Sequence, residues 1–185
     1  MDYFERIDGV LHAEDVSLPA IADAVGTPVY VYSQATLQRH ARVFREGLSA
    51  LDDPLIVFAV KANPNLAVLR VLQREGFGAD VVSGGELRRA LAAGISPDKI
   101  VFSGVGKTRA ELELGLDTGI AQFNIESREE GRELAELAAA RGEKARCALR
   151  INPDVDAGTH EKISTGKADN KFGVPLPHAG EAFAE

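Results

Sequence analysis

Cysteine is nearly absent. Cys147 is the only one, so the chain can form no internal disulfide and no cysteine-based metal cluster. Within Ala145-Arg146-Cys147-Ala148-Leu149 it reads as a small core residue. Histidine is scarce too: His12, His40, His160 and His178 form neither H-x-x-x-H nor H-E-x-x-H, which leaves a zinc site without sequence support. No apolar run approaches membrane-spanning length, and Met1-Asp2-Tyr3-Phe4-Glu5-Arg6 lacks the pattern of a secretion signal, so a cytoplasmic location and no membrane partner are expected. Basic charge is in deficit. With 21 lysines and arginines against 28 aspartates and glutamates the net charge is −7, which argues against nucleic acid as a partner. What remains, 45% apolar and 26% charged residues over 185 positions, is an ordinary globular composition with enough chain to bury a core.

From about residue 55, short apolar runs alternate with segments of helical period at intervals of roughly 20 to 25 residues. Strands are predicted over 54–60, 79–82, 99–102, 121–125 and 145–151. Helices are predicted over 65–75, 85–93, 108–117 and 128–141, each closed by a glycine: Gly76, Gly94, Gly119 and Gly142. The charge-rich last helix reads as a solvated face with an apolar stripe of Leu134, Leu137 and Ala138. Such alternation predicts right-handed β-α units on a parallel sheet, in either a doubly wound fold or a (β/α)₈ TIM-type barrel. No G-x-G-x-x-G follows the first strand. Polar residues instead stand at the ends of several strands: Lys61, Asn63, Asp80, Ser83, Ser103, Asn124, Glu126, Arg150 and Asn152. Barrels build active sites this way, so the α/β barrel is the expected fold. About five of its eight strands are legible, followed by a loop and the start of a helix over 177–185. The expectation is therefore the amino-terminal part of a longer protein. Residues 1–33 fall outside the register, with a hairpin over 4–11 about Asp8-Gly9, a helix over 17–25 and a strand over 28–32, and are assigned to a separate β-rich domain. The barrel portion is then 34–185.

Lys61 stands out, because it ends an apolar run, Ile56-Val57-Phe58-Ala59-Val60, and precedes the turn residues Asn63-Pro64-Asn65. An unpaired buried ammonium is costly, so Lys61 either reaches water or is an amine kept for covalent chemistry. Ser103-Gly104-Val105-Gly106-Lys107 lacks the Walker spacing of a phosphate loop. Its glycines permit close backbone approach, and Lys107 reads as solvated or interfacial. Asn152-Pro153-Asp154 reads as a turn.

Phe58-Ala59-Val60-Lys61-Ala62-Asn63 and Gly78-Ala79-Asp80-Val81-Val82-Ser83-Gly84-Gly85-Glu86-Leu87 resemble the barrel of the pyridoxal-phosphate (PLP) decarboxylases of the alanine-racemase fold type. Later segments resemble the diaminopimelate decarboxylases within that group: Val101 to Thr108, Phe123-Asn124-Ile125-Glu126-Ser127, Leu149-Arg150-Ile151-Asn152-Pro153-Asp154, and Thr159 to Gly166 with Lys171-Phe172-Gly173. The likeness follows the chain in order from end to end, and the last segment discriminates best.

The resemblance implies that Lys61 forms the Schiff base with the cofactor pyridoxal 5'-phosphate, which requires an amine deprotonated near neutral pH, as partial desolvation at a strand end would favour. It places Asp80 near that bond, where capping the next turn is the alternative, and Arg150 beneath the cofactor. Glu86 belongs first to a helix entry and secondly to the cofactor's surroundings. His160, Lys162 and Lys171 fall in a loop read as an active-site lid over substrate. The implied reaction is decarboxylation of meso-diaminopimelate to L-lysine and carbon dioxide by a homodimer whose second subunit completes the site, acting on a small amino acid and not on nucleic acid. Decarboxylation of ornithine, arginine or carboxynorspermidine, and a non-catalytic PLP-binding half-barrel, are the alternatives. The 185-residue chain alone is expected to be inactive.

Overall fold

The computed structural model of the chain describes residues 2–153, 155 and 172–184. It opens with a three-stranded antiparallel sheet of β1 (Phe4–Ile7), β2 (Val10–Ala13) and β3 (Val16–Ser17). Asp8 and Gly9, both at positive φ, make the β1–β2 turn, as an Asp-Gly pair favours. Helix α1 (Leu18–Val25) follows directly, capped by the Ser17 hydroxyl, which accepts from the Ala20 amide. Residues 28–32, expected as a strand, form none. Val29, Tyr30 and Tyr32 are exposed, and no described strand pairs with their backbone.

Helix α2 (Gln34–Gly47), which the alternation did not reveal, is capped by Ser33. Its Leu37 and Ala41 pack on Val68, Leu72 and Phe77, and Phe44 meets the Phe77 ring at 6.4 Å. Five parallel strands come next, β4 (Val57–Ala59), β5 (Gly78–Val81), β6 (Ile100–Phe102), β7 (Gln122–Ile125) and β8 (Cys147–Leu149). Between them run α3 (Leu66–Arg74), α4 (Gly84–Ala92), α5 (Arg109–Thr118) and α6 (Arg128–Ala140). Strand order in space is strand order in sequence, β4-β5-β6-β7-β8, and each helix from α2 to α6 packs on the next. A doubly wound sheet would reverse direction at a switch point, whereas an unreversed sheet with one helical layer is the wall of a barrel.

Two short strands, β9 (Ile151–Asn152) and β10 (Val174–Pro175), pair in parallel before α7 (Ala179–Ala184). Asn152, expected in a turn, therefore lies in a strand. Cys147, expected in the core, is exposed. Its strand β8 is the last of the five and has β7 as its one neighbour in that sheet.

The core between sheet and helices takes alternate strand residues, Ala79 and Val81, Ile100 and Phe102, Phe123 and Ile125, against Leu69, Leu87, Leu112, Leu134 and Leu137. Helix starts are equally regular. Ser83, Thr108 and Ser127 each accept from the amide of a glutamate three residues on, Glu86, Glu111 and Glu130. Glu111 does more than cap its own helix: one oxygen accepts from the Thr108 amide at 2.9 Å and the other from the Gly84 amide of α4 at 2.8 Å. Burial opposes its ionisation, but the two amides together with the Thr108 hydroxyl and the nearby Arg88 charge outweigh burial and hold its carboxyl below the usual range. Ionised Glu111 therefore stabilises the fold above the unfolded carboxylate value of about 4.3, and that contribution is lost as pH falls through the lower folded value. Glu111→Gln should cost about 1 kcal/mol near neutral pH. Urea unfolding repeated below pH 4 should show the gap between variant and parent narrowing, and a gap independent of pH would contradict the assignment.

Candidate active site at the carboxyl ends of the strands

Alternation that sends Ala79, Val81, Phe123 and Ile125 to the helices leaves Asp80, Gln122 and Asn124 on the opposite face of the sheet. These polar groups satisfy one another. Gln122 Nε2 donates to Asn124 Oδ1 at 2.8 Å, Asn124 Nδ2 to Ser103 Oγ at 2.9 Å, and Ser103 Oγ to Asp80 Oδ1 at 2.5 Å. A hydrogen-bonded chain thus crosses three strands and ends on the Asp80 carboxylate. Asp80 does not cap the turn after its own strand.

Lys61 sits in a 3-10 turn of residues Val60–Ala62, after β4 rather than on it. The strand is shorter than the apolar run suggested: it ends at Ala59, and the buried Val60 already belongs to the turn. Lys61 is exposed, so the expected desolvation of its amine is not seen in this chain, and it makes no hydrogen bond or ion pair among the described residues. It lines a cleft of about 740 Å³ together with Asp80, Ser103, Asn124, Glu126 and Arg150. Lys61, Asp80 and Arg150, separated by up to 89 residues in sequence (150 − 61), therefore converge on one cleft.

Arg150 follows β8, and its Nη1 donates to both oxygens of Glu126, at 2.9 and 3.0 Å. Its guanidinium also lies 5.1 Å from the centre of the Phe172 ring. Glu126 is 4% exposed, and its Oε1 takes a further bond from the Gly104 amide at 3.0 Å. A buried carboxylate with these donors is well satisfied, and it anchors the cation that reaches the cleft. Gly104 has φ +103°, a conformation that L side chains rarely adopt. The Val174 amide donates to the Arg150 carbonyl, bringing the chain back beside Arg150.

Lys107, expected to be solvated or interfacial, has a fully buried side chain, paired with Glu130 at 2.6 Å. Glu86 is a helix-entry residue: its Oε2 accepts from the Val82 amide at 2.8 Å, and it does not line the cleft. His160, Lys162 and Lys171, with most of the loop 159–173, lie outside the described residues. Ser103, Asn124 and Glu126 belong to the cleft, although none of them was expected to have an individual role beyond its place at a strand end. Their polarity at successive strand ends was the available signal.

Comparison with known proteins agrees with this fold. The pyridoxal-binding domain of the pyridoxal-dependent decarboxylases matches residues 34–185. The diaminopimelate decarboxylase of Zymomonas mobilis is 54% identical over 182 residues, covering 97% of this chain and 43% of that protein. That of Pseudomonas fluorescens is 53% identical over 184 residues, covering 99% and 44%. Among solved structures, the M. jannaschii diaminopimelate decarboxylase in complex with L-lysine superposes with TM-score 0.86 at 37% identity, covering 98% of this chain and 43% of that one. The Helicobacter pylori enzyme complexed with L-lysine gives 0.85 at 42% identity, covering 90% and 42%. A Paramecium bursaria Chlorella virus arginine decarboxylase, 21% identical with TM-score 0.60 over 76% of this chain and 36% of that one, shares the fold. The chain thus spans less than half the length of the relatives it matches.

Proposed function

The chain belongs to the pyridoxal-dependent decarboxylases, and from that premise we propose that it forms part of an enzyme that removes the carboxylate at the D-configured carbon of meso-diaminopimelate, giving L-lysine and carbon dioxide. The observation that carries the reading is the convergence of Lys61, Asp80 and Arg150 on one cleft at the carboxyl ends of the strands. The choice of substrate is supported by the relatives, which are named for it and two of which were solved with L-lysine, the product of the reaction proposed.

The cleft fits pyridoxal phosphate. An aldehyde needs an amine that is open to it, and the exposed Lys61 meets that need. An anionic cofactor needs a fixed cation, and Arg150 is held by Glu126 with its guanidinium at the cleft wall. When bound, the cofactor supplies the sink for the electron pair left as the carboxylate departs. The remaining work falls to the chain. Lys61 Nζ is the covalent attachment point. The Ser103 hydroxyl donates to the Asp80 carboxylate and restrains it in the wall of the cleft that Lys61 also lines. Val82, Leu149 and Phe172 contribute apolar wall that limits water near the reacting groups. In this reading residues 34–185 are the cofactor-binding part and residues 1–33 lead into a β-rich domain. A cytoplasmic homodimer is the assembly proposed, on the family resemblance. Among the described residues no helix is long and apolar enough to cross a membrane.

The full protein, loaded with pyridoxal phosphate, should release carbon dioxide from meso-diaminopimelate with kcat/KM at least about 100-fold above that for ornithine or arginine, since a site built to pair a second carboxylate rejects substrates that lack one. Faster turnover of ornithine or arginine would sink the substrate assignment. No turnover of any amino acid would sink the enzyme reading.

A further inference from the structure

Lys107 does not line the cleft, yet its position is tied to the groups that do. Its side chain is fully buried, and its three N–H groups meet three acceptors: the Gly104 carbonyl at 2.8 Å, the Asn124 carbonyl at 2.7 Å and Glu130 Oε1 at 2.6 Å. The ring of Phe102 lies 5.8 Å from the same nitrogen. Those acceptors belong to three different places, the loop after β6, strand β7 and the first turn of α6, so one ammonium joins all three. Its bonds lead on to the cleft. Glu130 accepts the Glu126 amide through its other oxygen at 3.2 Å, and the Gly104 amide donates to Glu126 Oε1 at 3.0 Å. Glu126 in turn holds Arg150.

We propose that Lys107 is a positioning residue for the decarboxylation: through Gly104 and Glu126 it sets where Arg150 stands in the cleft. The inference rests on the function proposed above. Removing Lys107 alone would leave the Glu130 carboxylate buried and unpaired, so the informative variant is Lys107→Met with Glu130→Gln, which neutralises both partners. In the full protein with pyridoxal phosphate, this variant should melt cooperatively and lose ten- to a hundredfold in kcat, the scale of a small misplacement of a binding group. Added to Arg150→Ala it should cost less than a further twofold, because both changes remove one chain of contacts. Without cofactor, deuterium exchange at the Gly104 and Glu126 amides should quicken at least tenfold, with Val81 and Phe102 in the sheet unchanged.

An unchanged kcat would overturn the proposal. So would losses that multiply with Arg150→Ala, or exchange that quickens across the sheet as much as at Gly104 and Glu126. A parent protein without decarboxylase activity would instead overturn the proposed function, and the exchange result would still decide for or against Lys107.

Discussion

Lys61→Ala in the full protein should abolish decarboxylation, a fall on the order of 10³-fold or more and so at least about 4 kcal/mol of lost transition-state stabilisation. The visible absorption of lysine-bound pyridoxal should vanish with it. Two features of the structure make this substitution a clean test. Lys61 is exposed and makes no hydrogen bond or ion pair among the described residues, so its loss should move stability by no more than about 0.5 kcal/mol. It also lies in the short turn after β4, where a small residue demands no change of backbone. An inactive variant that melts like the parent would place the defect in the chemistry. A variant with more than a tenth of the parent's activity would mean that Lys61 only borders the cleft.

Gly78→Ala should do the reverse and damage the fold first. A Cβ on Gly78 would lie 2.0 Å from the Lys99 carbonyl oxygen, a backbone atom that no side-chain rotation can move. Strand β5 begins its pairing with β6 one residue later, at Ala79 opposite Ile100, and carries Asp80 one residue beyond that. The strand must therefore bend away where the cleft needs it straight. Overpacking in a tight site costs about 1–3 kcal/mol, and a backbone clash belongs at the upper end. For a domain of this size that loss lowers the melting temperature by roughly 10 °C. Gly47, the last residue of α2, has nothing within 4 Å of its own Cβ position. Gly47→Ala should be neutral, or stabilise by up to about 1 kcal/mol. Equal, small effects at both positions would show that the approach of β5 to β6 is not tight.

The alternation of elements was legible because each helix is closed by local chemistry: a hydroxyl or amide cap at the start and a glycine at positive φ after the end at Gly76, Gly94, Gly119 and Gly142. Helix α2 escaped although Ser33, Leu37, Ala41 and Phe44 carry the cap and the spacing, because the repeat that organised the reading begins only after it. The strand expected over 28–32 has the right residues, but a strand exists only with a partner, and pairing is not written in local propensity. The site followed the same division. Lys61 could be singled out by type and place, whereas Asp80 and Arg150 were strand-end polar residues to which the family resemblance gave a role. That Glu126 binds Arg150 and that the Lys107 side chain is buried depend on residues 24 and 23 positions apart meeting across strand ends, a tertiary fact.

The central claim is that the Lys61 amine is where pyridoxal phosphate becomes attached. Reducing the loaded full protein with borohydride, digesting it and mapping the modified peptide by mass spectrometry tests this directly. The account predicts a single pyridoxyl-bearing peptide with the added mass on Lys61. The mass on Lys99, Lys107 or any other lysine, or no stable attachment after reduction, would contradict it.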